Sequence, residues 1–140
     1  MLKKTVTYED FNGNEVTEDL YFHLNSIEVT RLTAKFGGDL EGAINRLVAR
    51  RNLEEMMEFM EQMILLSYGV KSDDGRSFIK SKEVKEAFEY SQAYAELFET
   101  LILNPEEAKK FGEGIVMTNK IQAKLDEHNL KVVDQKEPNN

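Results

Sequence analysis

KKTVTYEDFNGNEVTEDLYFHLN, residues 3–25, sets the architecture, because a period of two runs through it and then stops. Val6 and Tyr8 alternate with Thr5 and Thr7. Val16, Leu20, Phe22 and Leu24 alternate with Thr17, Asp19, Tyr21 and His23. Such alternation predicts two strands with one buried face. Between them lies Asp10-Phe11-Asn12-Gly13-Asn14. A two-residue Asn12-Gly13 turn would set Phe11 opposite Asn14 and send the two apolar faces to opposite sides of the ribbon. A three-residue loop, Phe11-Asn12-Gly13, instead pairs Tyr8 with Val16 and keeps one face. It also places Asp10 first in a type I turn and Gly13 at the left-handed position.

Beyond Asn25 the signals are helical. Asn25 and Glu28 form a capping box for a helix expected to run to about Phe36 and to stop at Gly37-Gly38. Asp39 is the expected cap of the next, with Leu40, Ala43, Ile44, Leu47 and Val48 at helical spacing. Asn52 with Glu55 opens a third, expected to end after Tyr68. Residues 70–80 read as a connection with a turn at Asp73-Asp74-Gly75. Ser81 caps a long helix to about Leu103. Asn104-Pro105, with Glu107, begins another, which Gly112 and Gly114 are expected to end early. Residues 117–128 are weakly amphipathic, and Asp134 to Asn140 has no apolar residue. The expected fold is mainly α: an N-terminal β-hairpin and about five bundled helices in one domain, residues 1–116. A weakly helical to flexible tail, residues 117–140, follows.

The chain has 140 residues, enough for one domain with a substantial core. It has no cysteine, which excludes disulfides, thiolate metal sites and a cysteine nucleophile. Lys3-Lys4 is not followed by an apolar run, so no signal peptide is expected, and no stretch reaches membrane-spanning length. Eighteen basic and twenty-six acidic residues give a net charge of −8, which argues against nucleic acid as a partner.

Two segments are more apolar than one-sided packing uses. On a wheel from Leu53, the residues Leu53, Met56, Met57, Phe59, Met60, Met63, Ile64 and Leu66 fill roughly half the circumference, against about 100° for an ordinary core stripe. Glu54, Glu55, Glu58, Glu61 and Gln62 form the polar arc. From Val84 to Ile102 the apolar arc holds Phe88, Tyr90, Tyr94, Leu97, Phe98 and Leu101. Ala87, Ser91 and Ala95 recur there every fourth residue as a strip of small side chains. These arcs serve either as the centre of the bundle or in part as an open face for a partner helix or a second copy. Methionine suits adaptable apolar contacts. Met56, Met57, Met60, Met63, Tyr90, Tyr94 and Phe98 are therefore the candidate partner-binding residues.

Chemistry finds no foothold. His23 and His128 lack ligand-spaced companions, Gly37-Gly38-Asp39 lacks the Gly-Lys-Ser/Thr of a phosphate loop, and no serine sits in a nucleophile elbow. Asp73-Asp74-Gly75 lacks the later acidic ligands of a calcium loop. No catalytic residue, metal or cofactor is expected.

One stretch resembles a known family: Ser67-Tyr68-Gly69-Val70-Lys71-Ser72-Asp73-Asp74-Gly75-Arg76-Ser77-Phe78-Ile79-Lys80-Ser81, continuing through Glu83-Val84, Ala87-Phe88 and Ser91 to Phe98. A Tyr-Gly, a basic residue and Ser, an Asp-Gly turn and Phe-x-Lys-Ser, followed by a helix with spaced aromatics, are similar to the tail assembly chaperones of long-tailed phages and prophages of Gram-positive bacteria. The likeness spans about residues 3–115. It implies a non-enzymatic protein of the host cytoplasm, absent from the finished virion. Such a protein binds the tape measure protein, keeps it soluble while tail tube subunits assemble around it, and possesses contacts to the tube protein or to further copies of itself. The alternative is a virion component, a minor tail or head–tail joining protein.

Overall fold

A computed structural model describes residues 1–34 and 40–116 of the chain. β1 (Leu2–Glu9) and β2 (Glu15–Phe22) pair antiparallel with Tyr8 opposite Val16. The loop is Phe11-Asn12-Gly13. Asp10 N donates to Asn14 O at 2.8 Å and Gly13 N to Asp10 O at 3.0 Å. Asp10 Oδ1 accepts from the amides of Asn12 and Asn14. Gly13 has a φ of 83°, a conformation costly for a residue with a Cβ. The two strands therefore share one apolar face, as pairing Tyr8 with Val16 requires. Val6, Leu20 and Phe22 are buried on one face, while Thr5 bonds Asp19 and Thr7 bonds Thr17 on the other.

The next helices follow their caps. α1 (Ser26–Thr33) carries the complete Asn25–Glu28 capping box. The expected extension to Phe36, the Gly37-Gly38 stop and the Asp39 cap lie outside the described residues, as does the tail from residue 117. α2 (Leu40–Arg50) buries Leu40, Ala43, Ile44 and Leu47. α3 (Leu53–Ser67) starts at Asn52, whose side chain accepts from Glu55 N.

Three features differ from the sequence reading. Tyr68 does not end a helix but begins β3 (Tyr68–Lys71), which pairs with β2 on one side and with β4 (Phe78–Ile79) on the other. The sheet is four-stranded, in the order β1-β2-β3-β4. Together with six helices among the described residues, it makes the fold mixed α and β instead of mainly α. β3 is short and its partner β2 is remote in sequence, so no local alternation announces it.

The long helix from Ser81 is two helices, α4 (Lys82–Glu89) and α5 (Gln92–Leu103). Ser91 breaks it by acting as a cap: its hydroxyl donates to Phe88 O and accepts from Tyr94 N. The strip Ala87-Ser91-Ala95 is therefore not one helix face, and both alanines are exposed. α6 (Pro105–Ile115), capped by Asn104, runs through both of its glycines. A Cβ on Gly112 would lie 3.3 Å from Ile44 Cδ1, and one on Gly114 would lie 2.8 Å from Leu2 Cδ1. These glycines admit α2 and β1 to close range; they do not stop the helix.

The core centres on aromatic rings. Phe22, with no exposed surface, meets Tyr68, Phe88 and Phe111 edge-on at centroid distances of 5.7, 5.9 and 5.0 Å. Tyr68 stacks on Phe88 at 4.0 Å, and Tyr94 meets Phe88 at 5.4 Å. Strands and helices from both halves of the chain thus share one cluster. Phe88→Ala should cost about 3–5 kcal/mol of stability, because truncation strips a ring from a packed site that cannot collapse. A thermal melt will read this directly.

The Tyr68–Ser81 motif is a latch around the end of the first hairpin. Gly69 leaves room for the Phe78 ring, which would lie 2.7 Å from any Cβ there. Phe78 in turn packs edge-on to His23. Lys80 Nζ donates to His23 O at 2.7 Å and to both Glu28 carboxylate oxygens at 2.8 and 3.0 Å. It ties the exit of β2 to the first turn of α1. Ser81 then caps α4.

His23 Nδ1 is buried there without a hydrogen-bond partner. Burial, then the Met1 ammonium and Lys80, push its pKa below the usual 6.5, against the opposing pull of Glu28. The folded chain therefore binds this proton less readily than the unfolded chain. His23's contribution should be fully present above pH 6.5 and should be lost as pH falls through 6.5 toward the lower folded value. Melts of wild type and His23→Gln at pH 7.5, 6.5 and 5.5 (roughly one-unit steps) should show a steeper decline for wild type.

Candidate partner-binding cleft

α3 is held at its C-terminal end by groups from elsewhere in the chain. Its last turn carries no basic residue. Its free carbonyls are met by Tyr68 N on Ile64 O, by His23 N on Ser67 O at 2.8 Å, and by Lys85 Nζ on Leu65 O. A cation at this end also complements the helix dipole. Burial is the main cause that lowers the Lys85 pKa, with Lys80 adding to it and Glu28 opposing.

Beside this end a cleft of about 790 Å³ opens between helices. α1 supplies Arg31 and Leu32, α2 supplies Leu47 and Arg50, and α4 supplies Lys85. α3 supplies the long wall, from Glu55 to Leu66. Leu32, Leu47, Phe59, Leu65 and Leu66 make the floor apolar. Glu58 and Glu61 stand exposed along the α3 rim, and Arg31 and Arg50 are exposed on the facing rim. Arg50 bridges to Glu55 at 2.9 Å. An apolar trough between rims of opposite sign suits one amphipathic helix, which can bury its apolar stripe and oppose its own charges to both rims.

The seven residues singled out from the sequence lie elsewhere, and none lines this cleft. Met60 and Met63 are core residues, at 4% and 0% exposure, and Met56 is half-buried against the core. Tyr94 and Phe98 are half-buried and in ring contact at 5.7 Å. Burial, then the charges of Glu61 and Glu89, raise the Tyr94 pKa to about 12. Met57 and Tyr90 are exposed, at 43% and 71%. The cleft was missed because it falls on the border of the α3 polar arc. Leu65 sits between Glu58 and Glu61 on a helical wheel, and Phe59 and Leu66 lie at the far edge of the apolar arc, beside Gln62. The one available signal was the run Ile64-Leu65-Leu66, which continues the apolar surface around the helix.

Among the described residues, no group of three or more histidine, cysteine, aspartate or glutamate side chains converges as a metal site. Among the same residues no helix is long and apolar enough to cross a membrane.

No curated protein and no solved structure matches this chain. A family model does: that of the phage tail assembly chaperones, matched over residues 1–140. A match over the full length shows the family, and the chain belongs to the phage tail assembly chaperones.

Proposed function

We propose that the protein binds the tape measure protein of its phage and keeps it soluble while tail tube subunits assemble around it. It then stays behind in the host cytoplasm and is absent from the virion. Membership of the family carries this reading. The cleft supports it in physical terms. A tape measure is long, helical and apolar enough to aggregate. A trough with an apolar floor and charged rims shields an apolar helix stripe and keeps the complex hydrated outside. The tail tube protein is the second partner, met when the tape measure is handed over. Met57 and Tyr90, exposed apolar positions outside the cleft, extend the contact surface on this reading. Met60 and Met63 contribute by packing α3 from within.

Co-expression with the tape measure protein tests this. Wild type should keep the tape measure in the soluble fraction, and Leu66→Glu should lose most of that rescue, because it puts a charge on the apolar floor. Glu58→Gln should lose little. A melt of each variant separates lost binding from lost folding. Mass spectrometry of purified phage should find the chain absent. Stoichiometric presence in the particle without rescue would favour a structural tail or head–tail joining component.

A further inference from the structure

We infer that β1 is a self-complementary edge, along which two copies of this chain join into one continuous sheet. β1 is the outer strand of the sheet, and among the described residues no strand lies on its far side. It is long for an unpaired edge, eight residues, with no proline or bulge to blunt it. The register shows which backbone groups are free. Asp10 N bonds Asn14 O at the loop, and inward bonding alternates along an antiparallel pair. Even-numbered residues of β1 therefore bond β2. The N–H and C=O groups of Lys3, Thr5, Thr7 and Glu9 point outward.

Only odd residues can pair across a two-fold axis at this edge, which leaves few registers. The one centred on Val6 uses every outward group. Lys3 falls opposite Glu9 of the second copy and Thr5 opposite Thr7, each pair occurring twice by symmetry. Val6 meets its own copy on the buried face. Lys4, whose ammonium pairs with Glu107 of its own chain at 3.8 Å, falls opposite Tyr8 of the second copy. Shifting by two residues sets Lys3 opposite Thr7 or Thr5 opposite Glu9 and loses both terminal charge pairs. The charges that would frustrate most pairings of a bare edge thus select one register, and they select a second copy of this strand as the occupant. Matching of even faces keeps both helical layers on the same side of the joined sheet.

The test uses full-length chains in sedimentation equilibrium. Wild type at about 100 µM, a concentration that populates even a weak dimer, should show twice the 16.2 kDa monomer mass. Glu9→Lys sets like charges opposite each other at both ends of the junction and should weaken association about tenfold. Misfolding will not explain the loss, because Glu9 faces Glu15 within the hairpin and the substitution relieves that repulsion. Lys3→Glu alone should weaken association similarly. A mixture of the two single variants should recover it, since both charge pairs re-form in the mixed dimer. A monomeric wild type, or association insensitive to both substitutions, would overturn the inference. So would variants that stay weak when mixed.

Discussion

The ring of Phe22 is the contact on which the remaining elements converge. The hairpin loop sets its parity. A loop one residue shorter would turn the β2 apolar face away from that of β1, and Phe22 could not share a core with Val6. In its observed place the ring touches β3 through Tyr68, α4 through Phe88 and α6 through Phe111. Edge-on aromatic contacts are directional as well as apolar. They fix how these elements meet and do not merely collapse them together.

The Tyr68–Ser81 motif takes its meaning from that cluster. Its residues build a fastening. Tyr68 enters the aromatic stack, Gly69 makes room for Phe78, and Gly75 closes the turn with a φ of 74°. Lys80 is the inward-reaching member, spanning from the motif to His23 O and Glu28. Its side chain retains 15% exposure and that of Glu28 21%, so the pair is shielded but not fully dehydrated. A surface ion pair contributes little. This one also satisfies a backbone carbonyl and braces a capping glutamate, which couples three local structures. In this chain the motif serves architecture: it fastens β3, β4 and the start of α4 to the hairpin.

The α3 helix is fastened at its C-terminal end and lines an open cleft along its length. Lys85 and His23 secure the C-terminal end of α3 from outside the helix. With its end held, α3 can present Phe59, Leu65 and Leu66 along an open cleft without α1 and α2 closing over them. Lys85 has a place in both roles, since its stem lines the cleft while its ammonium caps the helix wall.

By itself the sequence determined what depends on neighbours within a turn or on strand parity. Asn25, Asn52, Ser81 and Asn104 each cap the helix expected of them, because a cap bonds an amide three residues away. The Phe11-Asn12-Gly13 loop follows from which positions must share a face. The buried set of α2 follows from its 3.6-residue spacing. Only the tertiary structure decided that Tyr68 starts a strand, that Ser91 ends one helix and caps another, and that Gly112 and Gly114 lie inside a helix. Each has its own physical reason. A β-strand of four residues is stabilised by a partner strand distant in sequence, and a helical glycine is tolerated where another element must approach closely. Serine bonds backbone within a helix or at its start with nearly equal ease. The cleft belongs to the same class: a helical wheel assigns residues to faces, but the neighbouring helices decide which part of an apolar face stays uncovered.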